Sequence, residues 1–181
     1  SSVSIADGDT AQQAVEELYR HGHRRIAALI SRPNDQSISQ LRYEGYVQAL
    51  ESHGIPVDPE LVISTGGFGA KDAYRAVQEK MAENVDFTAL FAIADSMAIG
   101  AMRALMDAGR RIPEDCSVIA IDGLELSAYI EPPLTTLCQP MEEMGRRSAE
   151  ILLDMVRHKG SHACELLPTT LRQGRSVAAP G

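Results

Sequence analysis

The sequence predicts an α/β fold in which helices cover both faces of a parallel sheet. Strand and helix signals alternate along most of the chain, which is typical of a sheet built through helical crossovers. The segments RIAALI (25–30), ALFAI (89–93) and SVIAI (117–121) are almost wholly apolar, as expected of strands buried on both sides. The helical segments between them are long enough for right-handed crossovers, which join parallel neighbours.

Five segments have the apolar spacing and the start or stop signals of amphipathic helices. In the first of them, Ala14, Val15 and Leu18 share one face, Asp9 or Thr10 is placed to cap the start, and Gly22 ends it. The predicted helices cover residues 10–21, 40–53, 72–81, 96–108 and 142–157. The apolar face of the last helix predicts that this helix packs against a partner surface. We expect that surface to be another copy of the chain; the alternatives are packing on the rest of its own chain and a frayed helix.

The predicted strands are 25–30, 62–64, 89–93 and 117–121, followed by a final strand in LLPTTL (166–171). Ligands of open parallel sheets bind outside the carboxyl ends of the strands. The loops after the first four strands should therefore converge on one cleft. These loops lead to Ser37, Arg42, Phe68, Asp95 and Asp122.

Composition excludes several classes of protein. The 181 residues carry a net charge of -8, which is wrong for a self-sufficient DNA-binding surface because such a surface needs clustered Lys and Arg. The chain has no run of about eighteen apolar residues, so it predicts no membrane helix, and its first residues do not resemble a signal peptide. We therefore expect a cytoplasmic protein.

The residues that usually carry catalysis or bind metals do not form the required patterns. The cysteines Cys116, Cys138 and Cys164 are widely spaced, without a CxxC pair, and this favours reduced thiols over disulfides or zinc. The histidines lack ligands at metal-binding spacing, and there is no GxSxG elbow or phosphate-binding glycine loop. The sequence predicts no enzyme, no metal site and no cofactor.

Four runs together resemble the LacI/GalR family of bacterial transcription regulators. They are GHRRIAALI (22–30), LRYEGYVQAL (41–50), the stretch 95–122 that contains RIPEDCSVIAID, and PPLTTLCQP (132–140). The resemblance implies a periplasmic-binding-protein-like fold of two lobes, of which this chain is mainly the C-terminal one. It implies an effector-sensing and dimerisation region that binds a sugar or sugar phosphate and thereby modulates operator binding.

The same resemblance implies where the chain passes between lobes. Crossings are expected near Ile5–Ala6, Gln139–Met141 and Pro168–Thr169. Residues 6–140 and 169–176 would form the carboxyl lobe, and 1–5 and 141–168 would belong to the amino lobe. The helix-turn-helix head that contacts operator DNA would lie upstream, absent from this chain.

Five side chains are candidates for binding the effector. Arg42 offers a rigid fork of donors and Asp122 a carboxylate that accepts from hydroxyls; a solvated helix arginine and a helix cap are the alternatives. Phe68 could stack on a sugar face or anchor its loop, and Gln139 could bind the effector or tie a lobe crossing. For Asp95 we favour a cap on the helix that follows it.

Departures from the family leave other functions open. Ala94 stands where many sugar-responsive relatives have Asn, and Gly123 where a second Asp or Asn is common. The loss of the Asn amide keeps open a regulator that responds to a phosphorylated carrier protein. An exported periplasmic sugar-binding protein of the same fold is a further alternative.

The resemblance also implies a homodimer. The helix predicted over 96–108 carries Ile99, Met102 and Met106 on one stripe, and in the family this helix forms a dimer seam together with the segment near Ile130. Burial in the core of the same chain is the alternative for part of that stripe.

Overall fold

The computed structural model describes residues 1–32, 37–158 and 164–181. The strands are β1 (Ser2–Ile5), β2 (Ile26–Ser31), β3 (Val62–Thr65), β4 (Ala89–Ala92), β5 (Ser117–Asp122), β6 (Thr135–Cys138), β7 (Cys164–Leu167) and β8 (Thr170–Arg172). The helices are α1 (Asp7–Arg20), α2 (Ile38–Ser52), α3 (Ala70–Ala82), α4 (Asp95–Asp107) and α5 (Met141–His158). Among the described residues, no helix combines the length and the apolar character that crossing a membrane requires.

The large sheet confirms the predicted fold class. Its strand order is β3-β2-β4-β5-β6-β8, and every pair is parallel except the antiparallel pair of β6 and β8. Strand β3 lies on one side of β2, and the later strands β4, β5 and β6 follow on the other side. The connecting helices therefore lie on both faces of the sheet. Helix α1 packs on α2, helix α3 packs on α4, and both α1 and α4 contact β5.

The apolar strands form the centre of the core, because every residue of β2 and β4 is buried. The Tyr46 ring of α2 lies parallel to the Phe91 ring of β4, with 6.5 Å between the ring centroids. The Tyr46 hydroxyl donates a hydrogen bond to the Ile26 carbonyl at 2.9 Å, so the ring can be fully buried without leaving its polar atom unpaired.

The second sheet is small and contains only β1 and β7, which are parallel. The prediction of one strand over 166–171 is wrong, because the chain leaves the small sheet after Leu167 and enters the large sheet at Thr170. Pro168 lies at this break and has no amide hydrogen to donate to a ladder. The break falls at an expected lobe crossing, while the division into lobes itself stays a prediction.

Helix α5 packs mainly on β1 of the small sheet, and Met144 near its start contacts the main core. Ile151, Leu152 and Met155 line a shared cavity with the first residues of β1. Leu152 and Val156 nevertheless remain 62% and 73% exposed. The helix is therefore formed and attached within its own chain, with part of its apolar face open to solvent.

The stripe predicted for a dimer seam on α4 is partly wrong. Met102 is 1% exposed and belongs to the core of its own chain, so it has no surface to offer a partner. Met106 is 40% exposed, while Ile99 and Ile130 are half-buried. A dimer seam over these three residues stays a prediction.

Candidate ligand-binding site

The carboxyl edge of the large sheet surrounds a cavity of about 320 Å³. The residues that line this cavity lie at or after the carboxyl ends of five strands, β2 to β6, as expected for a ligand site of an open parallel sheet. The lining residues are Ile38, Arg42, Phe68, Ala94, Ser96, Asp122 and Gln139. Four of the five predicted binding residues therefore lie around one cavity.

Arg42 lies in the first half of α2, a helix whose start is capped by the Ser37 hydroxyl, which accepts from the Gln40 amide at 3.2 Å. The Arg42 side chain is 4% exposed. Its Nε donates to Asp7 Oδ1 at 2.8 Å, and its Nη1 donates to Asp122 Oδ1 at 3.2 Å and to the Ile93 carbonyl. The alternative of a solvated helix arginine is therefore wrong.

Asp122 is the last residue of β5 and is held from two sides. Its Oδ1 accepts from Arg42 and also from Gln139 Nε2, at 2.7 Å in the second case. Its side chain is 24% exposed toward the cavity side of the sheet. Within the described ranges, no protein donor is bonded to Asp122 Oδ2, so this oxygen can accept from a ligand.

The backbone at this strand end has an unusual conformation. Asp122 has φ 134°, a region that favours glycine, and its carbonyl accepts from the Gln139 amide at 3.0 Å. Gly123 follows with φ 77°, and a Cβ there would lie 2.5 Å from Cys138 Sγ. The close approach of Cys138 therefore leaves room only for glycine at position 123 in this backbone conformation.

Apolar side chains also line the cavity. Phe68 and Ile38 are 43% and 50% exposed, which is high for large apolar side chains. The Ser96 hydroxyl donates to the Phe68 carbonyl at 2.7 Å and fixes the loop that carries the ring. The cavity thus offers both hydrogen-bonding groups and apolar surface.

Asp95 does not cap α4 in this geometry, so the favoured role predicted for it is wrong. Helix α4 begins with Ala94 at its N-cap and has no side-chain cap. The fully buried Asp95 carboxylate instead accepts from the Leu124 amide at 2.8 Å and from two hydroxyls, of Ser127 at 2.7 Å and Thr136 at 2.5 Å. It ties α4 to the loop after β5, and its burial argues against contact with a ligand.

Outside the cavity, buried titratable groups serve the packing. His23 Nδ1 contacts the Thr88 hydroxyl at 2.9 Å, and Nε2 contacts the Ala178 carbonyl at 2.8 Å; burial lowers its pKa. Burial raises the pKa of the Cys116 thiol to about 12, so that thiol stays protonated at neutral pH. No group of three or more His, Cys, Asp or Glu within the described ranges could hold a metal ion.

Sequence reasoning missed part of the site. Ile38 and Ser96 lie directly beside predicted residues, but their spacing carries no signal of its own. From the sequence, Asp7 could equally reach the cleft or cap a helix, and the structure has it in the first turn of α1 against Arg42. The interaction joins residues that are 35 positions apart, so it becomes visible only once the helices are packed.

Comparison with known proteins identifies the family of this chain. Residues 15–177 match the family described as periplasmic binding protein-like domain. The chain belongs to this family. Within it, the named relatives are LacI-type regulators, so the resemblance to the LacI/GalR family is confirmed.

Three relatives illustrate the match. The repressor CytR of Escherichia coli K12 is 38% identical over 172 residues, which are 92% of this chain and 50% of the relative. The structure of a CelR–cellobiose complex has a TM-score of 0.90 at 34% identity and covers 97% of this chain and 53% of its own. A LacI-family regulator of Enterococcus faecium with bound ribose has a TM-score of 0.85 at 32% identity, with coverages of 98% and 65%. The chain spans about half the length of the curated relatives it matches.

Proposed function

We propose that this chain is the effector-sensing region of a LacI-type transcription regulator and binds a small sugar-like effector in the cavity at the carboxyl edge. Effector binding would modulate operator binding by a helix-turn-helix head outside these residues. The observation that carries the proposal is the grouping of Arg42, Asp122 and Gln139 with Phe68 around one cavity. The relatives with cellobiose and ribose support a sugar as the effector class.

The chemistry of the cavity suits a polyhydroxylated ring. Asp122 Oδ2 is an acceptor for a hydroxyl, and a charge-assisted hydrogen bond of this kind is among the stronger ones. Arg42 Nη2 has no acceptor among the described residues and can donate to a second oxygen. Phe68 supplies apolar surface for the face of the ring. A volume of about 320 Å³ is at the small end of ligand sites and fits a monosaccharide-sized group.

Membership of the family also supports proposals for the lobe division, the dimer and the binding residues. We propose residues 6–140 and 169–176 as the carboxyl lobe, and 1–5 with 141–168 as parts of the amino lobe, because the two sheets separate at these places. We also propose a cytoplasmic homodimer without catalytic activity, whose seam includes Ile99, Met106 and Ile130. Arg42 and Asp122 would be central binding residues, with Phe68 and Gln139 beside them.

One observation favours a second candidate function. Ala94 lines the cavity with a methyl group where an Asn amide would bind a sugar. The hydrogen bonds that such an amide would make to the sugar are therefore absent. A regulator that responds to a phosphorylated carrier protein would not need that amide. In that case small sugars would leave the protein unaffected, and the carrier protein would bind outside the cavity.

Titration calorimetry of the whole protein against a panel of free sugars tests the proposal. We expect one ligand class to bind, and we expect Asp122→Ala to weaken it about ten- to a hundredfold, the usual value for a lost charged hydrogen-bond partner. Asp115→Ala is the matched control, because it removes a half-buried aspartate that is paired with Arg111 at the opposite end of the sheet, outside the cavity. Equal affinity in both variants would remove Asp122 from the site.

A further inference from the structure

The positive charge in the cavity is already neutralised inside the protein. Arg42 is the only cation among the described lining residues. Its guanidinium is in contact with two carboxylates, Asp7 at 2.8 Å and Asp122 at 3.2 Å. One positive and two negative charges leave the cluster with a net charge of -1.

Asp7 is the less visible of the two partners, because it does not line the cavity. It lies behind Arg42, with a side chain that is 10% exposed, in the first turn of α1 directly after the small sheet. Since water screens this pair poorly, the Asp7 charge acts on whatever approaches Arg42. Asp9, in the same turn, is exposed and has no bond to Arg42.

No second cationic side chain lines the cavity within the described ranges, and apart from Arg42 and Asp122 the lining side chains are uncharged. The starts of α2 and α4 border the cavity and would attract an anion through their helix dipoles. The first turn of α4 carries the buried Asp95 carboxylate, which Arg172 Nη2 approaches to 4.0 Å, whereas the first turn of α2 carries no acidic residue. A phosphorylated ligand would still meet repulsion from Asp7 and Asp122 with no unpaired cationic side chain among the described lining residues to compensate.

We propose that Asp7 is a specificity-determining residue, which neutralises Arg42 and makes the cavity select an uncharged ligand over its phosphorylated form. The inference rests on the proposed function and narrows it from sugars and sugar phosphates to unphosphorylated polyols. Arg42 then serves as a neutralised hydrogen-bond donor for hydroxyl oxygen and not as an anion receptor.

Inorganic phosphate is the probe for the test, added to the full chain and followed by calorimetry. The Gln139 side-chain amide signal in NMR spectra reports whether phosphate reaches the cavity. The unaltered chain should show no binding at this site up to about 10 mM. Asp7→Asn keeps the shape and removes one negative charge, so it should bind phosphate at least about tenfold more tightly. Asp9→Asn changes the net charge equally and should show no gain.

Each outcome decides the proposal. Phosphate binding by the unaltered chain with a shift of the Gln139 signal overturns it, as does equal behaviour of the two Asn variants. If circular dichroism shows that Asp7→Asn does not fold, Asp122→Asn must produce the gain, because it removes the other carboxylate at Arg42; failure there overturns the proposal as well. Absence of binding by any uncharged sugar would instead contradict the proposed function, and the phosphate comparison does not depend on it.

Discussion

Arg42 should contribute more to the stability of this fold than any exposed arginine, because its charge is buried between two carboxylates. Arg42→Met keeps an unbranched side chain and removes the guanidinium, which takes a donor away from Asp7, Asp122 and the Ile93 carbonyl. Asp122 keeps its hydrogen bond from Gln139. Breaking a buried ion pair in this way costs about 3–5 kcal/mol. Asp122 is 24% exposed and can recruit water, so we expect the low end, about 3 kcal/mol of unfolding free energy.

A double-mutant cycle with Asp7→Asn separates this electrostatic effect from lost packing. Asp7→Asn alone should cost about 1.5–3 kcal/mol, the value of a charge-assisted hydrogen bond. The double variant should cost about 1.5 kcal/mol less than the two single losses together, since no orphaned carboxylate remains at position 7. Urea unfolding followed by circular dichroism measures all four free energies.

The control is Arg103→Met, which removes a 70% exposed arginine from its pair with Asp107 on α4. Exposed pairs contribute little, so the urea midpoint should stay nearly unchanged. Losses at Arg42 and Asp7 that add to within about 0.5 kcal/mol would refute the reasoning, because they would show that the two charges do not depend on one another.

Two further predictions concern packing and pH. Gly100→Ala should cost about 1–3 kcal/mol in urea unfolding, because its Cβ would lie 2.0 Å from the Ala70 carbonyl oxygen where α3 meets α4. Gly145→Ala, in open space on α5, should instead stabilise by up to about 1 kcal/mol, and a loss at Gly145 matching that at Gly100 would contradict the packing argument. Burial lowers the pKa of His23 from 6.5, so the unfolded chain binds more protons and stability should fall as pH drops below that value. His23→Gln should reduce this loss of stability at low pH, whereas the exposed His53→Gln should not, as measured by thermal unfolding across pH 5–8. Equal losses of stability at low pH in both variants would contradict the prediction.

The central strands were predictable because their signal is strong and local. RIAALI, ALFAI and SVIAI are buried apolar runs, and the structure confirms them as β2, β4 and β5 with boundaries shifted by one residue at most. The strand at 135–138 was not predicted, since four residues between prolines carry little periodic signal. The separation of LLPTTL into β7 and β8 depends on two different sheets, and local pattern contains no information about them.

The candidate site was predictable only to the level of loops. The rule that ligands bind at the carboxyl edge, with the family resemblance, brought Arg42, Phe68, Asp122 and Gln139 to one place. The assignments that depended on which way a side chain turns were less successful. Asp95 turns inward to Ser127 and Thr136 instead of capping α4, and a helical stripe could not show that Met102 faces the core of its own chain.

A crystal structure of the protein with its tightest-binding sugar would test the central claim most directly. We predict a ligand hydroxyl about 2.5–3.0 Å from Asp122 Oδ2, a second ligand oxygen within reach of Arg42 Nη2, and the ring of the ligand against Phe68. Ligand density elsewhere, for example in the cavity between α5 and β1, with the Asp122 carboxylate still turned only to Arg42 and Gln139, would contradict the account.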